Sequence, residues 1–380
     1  MSNTVGSESG RSLLPARPPI PARLALALIG IVIGLLVIEG GVRLRQWIRY
    51  GTVHASVYQV VDDPRTGLTI PKPNLDTGRT RIDSRGFRNP EIQMPKPAGR
   101  VRLAFLGAST TYCMEVSNNE ATWPHLVTQA LSERYPGVTF DYINAGVPAY
   151  RLPLSRKNLE VRVAPLQPDL VLYYEAFNDF ADDTRKVAVK SGLYRDDFDK
   201  PSKLARVSTA WYLVEKNLLI RERSKRATQS NRKIHFNPDS LAGGFEARLE
   251  EFLRVARDVA PVYAVATFSH KIRREQPPEV QLRACTSSLY YAPYMSVRGL
   301  LDGWDAYNRA IRAAARKTGA LLIEGEDSIP GDDAHFADSI HFLDPGSKAM
   351  AVRVVRGLEA SPEFNTLVAN RSGQAHSHTP

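Results

Sequence analysis

Apolar positions along the chain fall into two regimes. Near the amino terminus, Leu24 to Val42 (LALALIGIVIGLLVIEGGV) forms one continuous apolar run whose only charge is Glu39, bounded by Arg23 on one side and by Arg43, Arg45 and Arg49 on the other. As a helix, that run is long enough to cross a hydrocarbon core of about 30 Å. A cleaved signal peptide and a buried core helix are the competing readings. The length of the run, its apolar character all round and the lack of a small-x-small site after it favour an uncleaved transmembrane anchor. Beyond residue 100 the apolar runs shorten and alternate with amphipathic stretches. Val101 to Gly107, Val138 to Asn144, Pro168 to Phe177, Val262 to Phe268 and Ala320 to Gly325 are nearly continuous in apolar residues, as strands buried on both faces of a parallel sheet are.

Between these runs the period changes to that of a helix. Trp123, Leu126, Val127, Ala130 and Leu131 share one face, as do Phe245, Leu249, Phe252, Leu253 and Ala256, and then Trp304, Tyr307, Ile311 and Ala314. Alternating strand and helix predicts an α/β fold: a three-layer, flavodoxin-like sandwich with a parallel sheet of about five strands, preceded by one transmembrane helix. The expected organisation is a disordered leader (1–23), the anchor (24–42), an irregular Pro- and Gly-rich tether (43–100), the α/β domain (101–360) and a disordered tail (361–380). Residues 181–240 break the alternation and read as an insertion capping the sheet edge or the site; within it STAWYLVEKNLLI is a helix candidate.

Composition adds two constraints. Of 380 residues 43% are hydrophobic and 24% charged, which excludes disorder throughout and a multi-span membrane protein. The net charge of +10 lies in two stretches: residues 1–50, with six Arg against two Glu, and residues 181–233, with fourteen Lys and Arg against seven Asp and Glu. Anionic lipid headgroups or an acidic glycan would suit the run RERSKRATQSNRK; it lacks the aromatic interleaving of a nucleic-acid surface, so no nucleic-acid partner is expected. Cys113 and Cys285 are too few and too far apart for a disulfide framework or a cysteine zinc site, which leaves a single bridge between them open.

Ligands of such a sheet bind at the carboxyl ends of its strands. The first strand ends in Gly107-Ala108-Ser109-Thr110-Thr111, a small-residue turn that would present Ser109 with its own N–H facing a developing oxyanion. The second ends in Asn144-Ala145-Gly146-Val147-Pro148, where Gly146 allows close backbone approach, and the third in Glu175-Ala176-Phe177-Asn178-Asp179, where the Asn178 amide could donate. Near the carboxy terminus stands Asp338-Ser339-Ile340-His341, followed by Asp344-Pro345 as N-cap and first residue of the last helix. Three residues apart on a turn, Asp338 could orient His341 as a base toward Ser109. His335 with Asp332 and Asp333 offers no metal-ligand spacing and reads as a solvated loop; neither metal nor other cofactor is expected. His270 could line the cleft, and His376 and His378 belong to the polar tail.

Taken together and in this order, these blocks resemble the SGNH hydrolases, or GDSL esterase/lipase family, and the segment DSRGFRNPE before the first strand is similar to that of membrane-anchored bacterial members. The resemblance implies Ser109 as nucleophile, His341 as base and then acid, and Asp338 as its orienting partner. It also implies an oxyanion hole of the Ser109 N–H, the Gly146 N–H and the Asn178 amide. Two blocks depart from the family: Gly-Asp-Ser is here Gly107-Ala108-Ser109, and Gly-x-Asn-Asp is Ala176-Phe177-Asn178-Asp179. The implied activity is ester hydrolysis outside the cytoplasmic membrane, on an ester or acylated-glycan substrate, by a single-pass protein whose domain lies on the periplasmic or extracellular side. An O-acyltransferase or deacetylase of an envelope polysaccharide, and a catalytically silent scaffold, are the alternatives.

Overall fold

A computed structural model describes residues 20–53, 58–194, 201–229 and 232–376. Most of the expected leader, parts of the tether and insertion, and the end of the tail with His378 lie outside the described residues.

The chain begins with helix α1 (Ile20–Tyr50), which starts inside the expected leader and runs past the apolar segment into the expected tether. A hairpin follows, β1 (Val60–Asp63) against β2 (Leu68–Pro71). Then come β3 (Arg100–Gly107), the single turn α2 (Ser109–Tyr112), α3 (Trp123–Arg134), β4 (Thr139–Gly146), α4 (Leu152–Asn158), β5 (Leu170–Tyr174) and α5 (Phe177–Lys190). The second half contains α6 (Lys203–Val207), α7 (Thr209–Gln229), α8 (Pro238–Val259), β6 (Val262–Ala266), α9 (Pro278–Ala284), α10 (Thr286–Tyr291), α11 (Val297–Thr318), β7 (Leu321–Ile323), α12 (Asp344–Glu359) and α13 (Pro362–His376).

Strands β3 to β7 form one parallel sheet in the order β4-β3-β5-β6-β7, the flavodoxin-like arrangement. Helices α3 and α12 pack together over one face, and α4, α5, α8 and α11 cover the other. Every residue of β5 is buried, as are seven of the eight in β3, which explains their unbroken apolar runs. Trp123 and Trp304, from opposite helical layers, are both buried, so the aromatic stripes are core.

Three expectations need correction. The stretch beyond α1 is, apart from the β1–β2 hairpin, largely irregular as expected, but it packs on the domain rather than forming a free tether. Leu68 and Ile70 of β2 pack with Ala108, Val147 and Tyr150, while Phe87 and Arg88 are buried against the domain. Residues 362–376 are not a loose tail but helix α13, because Phe364 and Val368, four apart, bury one face. The insertion is shorter than 181–240, since α5 and α8 belong to the helical layer; what departs from the alternating pattern is α6 and α7.

The lone charge of the apolar run has a structural partner. Glu39 accepts hydrogen bonds from the backbone N–H groups of Thr209 (2.8 Å) and Ala210 (3.0 Å) and from Ser208 Oγ (2.8 Å), and pairs with Arg43 at 2.6 Å. It thus supplies from another helix the acceptors that the first turn of α7 lacks.

Candidate active site

The sheet register brings three strand ends level: Gly107 pairs with Gly146 on one side and with Tyr174 on the other. The segments that leave them therefore emerge side by side, at the point where the strand order reverses. Gly107 is required by close packing, because a Cβ there would meet the Tyr174 carbonyl oxygen at 2.2 Å and Thr111 Oγ1 at 2.4 Å. The turn that follows is bolted to its neighbour strand: Thr111 Oγ1 donates to the Tyr174 carbonyl (3.0 Å) and Thr110 Oγ1 to the Glu175 carboxylate (2.9 Å).

Ser109 and His341 are 232 residues apart in sequence, yet Ser109 Oγ lies 2.8 Å from His341 Nε2, and His341 Nδ1 lies 2.8 Å from Asp338 Oδ2. The other Asp338 oxygen accepts from the N–H groups of Ile340 and His341, both at 2.9 Å. The loop carrying them is held closed by Phe336 pairing with Phe342 and by the Ala337 N–H donating to the His341 carbonyl (2.8 Å). Burial works to raise the Asp338 carboxyl, but the charge and hydrogen bond of His341 with the two N–H donors outweigh it and hold it at about 2. Burial likewise works to lower His341, and Asp338 outweighs it, so the imidazole is raised above its usual 6.5.

Asn178 Nδ2 donates to the Tyr150 carbonyl at 3.0 Å, which fixes the amide and leaves its second hydrogen for a ligand. Asn178 is the second residue of α5, in its first turn. The Gly146 N–H is engaged differently from expectation: it is buried and donates to Asn144 Oδ1 at 3.2 Å, beneath α2. Three residues on, the Val147–Tyr150 turn is closed by the Tyr150 N–H on the Val147 carbonyl, with exposed Ala149 in the left-handed region at φ 66°. Val147 and Tyr150 pack on Ala108, next to Ser109, and the turn's other side meets Asn178. Ala149, unlike Gly146, is therefore exposed, in a turn that borders both Ala108 and Asn178. Nothing in the residue type flagged it, since Ala rarely adopts positive φ.

Two further residues support the turn. Arg88, fully buried, donates to the carbonyls of Tyr112 (2.9 Å) and Cys113 (2.6 Å) at the end of α2 and to Asn119 Oδ1 (2.9 Å). Arg88→Ala, which orphans two buried carbonyls under Ser109, is expected to cost on the order of 3 kcal/mol of stability and to lower kcat about 10–100-fold; thermal melts and rates on the folded variant measure both. Glu175, also buried, accepts from Thr110 and from the Asn178 N–H (2.9 Å); burial raises its carboxyl to about 7 against those hydrogen bonds.

Other sequence candidates lie elsewhere. His270 does not line the cleft: it is buried, stacked on Trp304 at 4.3 Å between centroids, and burial lowers it to about 3. His335 pairs with Asp332 (2.7 Å) and Asp333 with Lys271. Asp344 is the first residue of α12 rather than its N-cap, and its carboxylate accepts from the Ser117 N–H at 2.7 Å. Cys113 and Cys285 are both free and buried.

No curated protein sequence matches the chain. Among solved structures it is similar to the acetylxylan esterase Axe2 of Geobacillus stearothermophilus, at 14% identity and a TM-score of 0.42, over 68% of this chain and 93% of that one. It is also similar to LAE5, an alpha/beta hydrolase enzyme from the metagenome of Lake Arreo, Spain, at 16% identity and a TM-score of 0.40, over 70% and 97%. Likeness at this level does not reach substrate. The model of the GDSL-like lipase/acylhydrolase family matches residues 105–349, from β3 through the Ser109 turn to the His341 loop and α12, and the chain belongs to that family.

Proposed function

We propose that this ester-hydrolysing enzyme works through an acyl-serine intermediate, and the observation that carries the reading is the unbroken hydrogen-bonded line Asp338–His341–Ser109. Ser109 Oγ attacks the ester carbonyl carbon while its proton passes to His341 Nε2. The tetrahedral oxyanion meets the Ser109 N–H, the Ala149 N–H and the Asn178 amide. Collapse breaks the bond to the alcohol, which leaves with the proton from His341. A water then attacks the acyl-serine, gives its proton to His341, and the acid departs as that proton returns to Ser109. Asp338 stabilises the imidazolium and remains ionised throughout.

Partial exposure of Ser109, Asn178 and His341 supports water over a sugar hydroxyl as the second acceptor. Helix α1 is long and apolar enough to cross a membrane, and we read it as an anchor holding the domain outside the cytoplasmic membrane, where an ester or an O-acetylated glycan is the substrate class. With p-nitrophenyl acetate and an acetylated xylo-oligosaccharide, the expected result is free acetate equal to the alcohol released. Acetate recovered on an added sugar acceptor, with none free, would replace hydrolysis by transfer.

A further inference from the structure

The anchor is not the only element that points toward lipid. Helices α6 and α7, which the α/β fold does not require, join at Ser208, and this junction is tied to the carboxyl end of the apolar segment. Besides the Glu39 bonds, Arg43 donates to the Val207 carbonyl at 3.0 Å and Thr209 Oγ1 to the Val53 carbonyl at 3.2 Å. Glu39 stands three residues inside the end of the apolar run, about 5 Å along the helix. An anchor that spans the membrane therefore fixes the α6–α7 junction at the boundary between hydrocarbon and headgroups.

From that junction both helices expose apolar side chains. In α6 these are Leu204 and Val207, three apart; in α7 they are Trp211, Val214 and Leu218, at the i, i+3, i+7 spacing of one helical face. Val207 is 70% exposed and Leu218 57%. The same face of α7 continues into Arg221 and Lys225, opening the basic run that the active site leaves unused. An apolar stripe with a Trp, passing into cations, is the composition of a helix lying in the membrane interface. A different side of α7 packs on α10, where Arg223 lies 5.2 Å over the Tyr290 ring. From α10, Ser287 Oγ donates to Ser339 Oγ at 2.7 Å, one residue from Asp338.

We propose that α6 and α7 form a second membrane contact, an amphipathic pair whose stripe of Leu204, Val207, Trp211, Val214 and Leu218 inserts at the acyl-chain boundary of an anionic leaflet beside the anchor. The inference rests on reading α1 as a membrane span. It links the bilayer, through α7, α10 and the Ser287–Ser339 bond, to the Asp338–His341 loop, so the domain is held in one orientation rather than swinging on α1.

The test uses the full chain at one copy per nanodisc containing phosphatidylglycerol, so that a second copy cannot cover the stripe. Trp211→Cys, Val214→Cys and Leu218→Cys sample the stripe, Lys216→Cys the exposed opposite side of α7, and Leu35→Cys the anchor. The native thiols are buried and pushed up to about 12 by that burial, so they add little background to labelling by a membrane-impermeant maleimide. Labelling at 211, 214 and 218 is expected to be at least about tenfold slower than at 216, with position 35 protected as well. Stripe positions that label as fast as 216 while 35 stays protected would overturn the interfacial contact and leave the anchor standing. Labelling at 35 would overturn the anchor, and the contact with it.

Discussion

Ser109→Ala is expected to lower ester hydrolysis by about 10⁴–10⁶-fold while leaving the thermal midpoint close to wild type. The size follows from the geometry. Ser109 Oγ is the atom 2.8 Å from the base, and its loss removes the covalent route altogether, leaving only substrate binding and the oxyanion donors. The small effect on folding follows because Ser109 is partly exposed, whereas its neighbours Thr110 and Thr111 make the bonds that fix the turn. A fluorophosphonate separates reactivity from binding: it should add one adduct to the wild type, on the peptide containing Ser109, and none to Ser109→Ala. His341→Ala should label at least about 100-fold more slowly, because the hydroxyl then has no base. A folded wild type that takes no label and releases no acid would return the chain to the silent-scaffold reading.

How far the sequence carries depends on where the determinant of each feature lies. The sheet is legible because strands buried on both faces must be apolar throughout, and β3, β5 and β6 are nearly so. Ser109, Asn178 and the Asp338–His341 pair are legible because strand ends and turn spacing put reactive side chains where such a sheet binds ligands, although only coordinates give their distances. The second strand's end is less legible: a glycine advertises backbone access, but the Gly146 N–H is spent on Asn144 Oδ1, and the donor proposed in its place rests on the left-handed Ala149 of the closed Val147–Tyr150 turn.

The order of the segment after α1 was hidden for a different reason. Its Pro, Gly and charged residues look solvated, but Arg88 and Asn89 spend their hydrogen bonds on Tyr112, Cys113 and Asn144, far along the chain. Glu39 is the same case: an oddity inside an apolar run until its partners at 208–210 are known. The α13 helix, by contrast, had a readable signal in Phe364, Leu367 and Val368 at helical spacing.

Asp338→Asn is expected to lower kcat/KM by about 10²–10⁴-fold near neutral pH and to move the acid limb of its pH profile downward. The reaction needs neutral His341, so the wild-type rate rises with pH through the imidazole pKa, which Asp338 holds above 6.5 against the effect of burial. Without the carboxylate charge, burial acts with less opposition and the imidazole loses its proton at lower pH. Neutral His341 is then present over a wider range, yet it is poorly oriented, so the rate falls while the limb shifts. Glu175, raised by burial to about 7, titrates nearby and also adds to the His341 shift, but its charge acts on His341 less than that of Asp338. Glu175→Gln should therefore move the limb less than Asp338→Asn, and a larger shift from Glu175→Gln would reassign the limb. Stability has the opposite sign. The raised His341 stabilises the fold below about 6.5 and loses that contribution as pH rises through its folded pKa. The depressed Asp338 contributes above about 3.8 and fails only as pH falls through about 2. The pair thus stabilises the fold most between these limits, on the acid side of the activity profile, and pH-dependent melts of wild type and Asp338→Asn should differ most there.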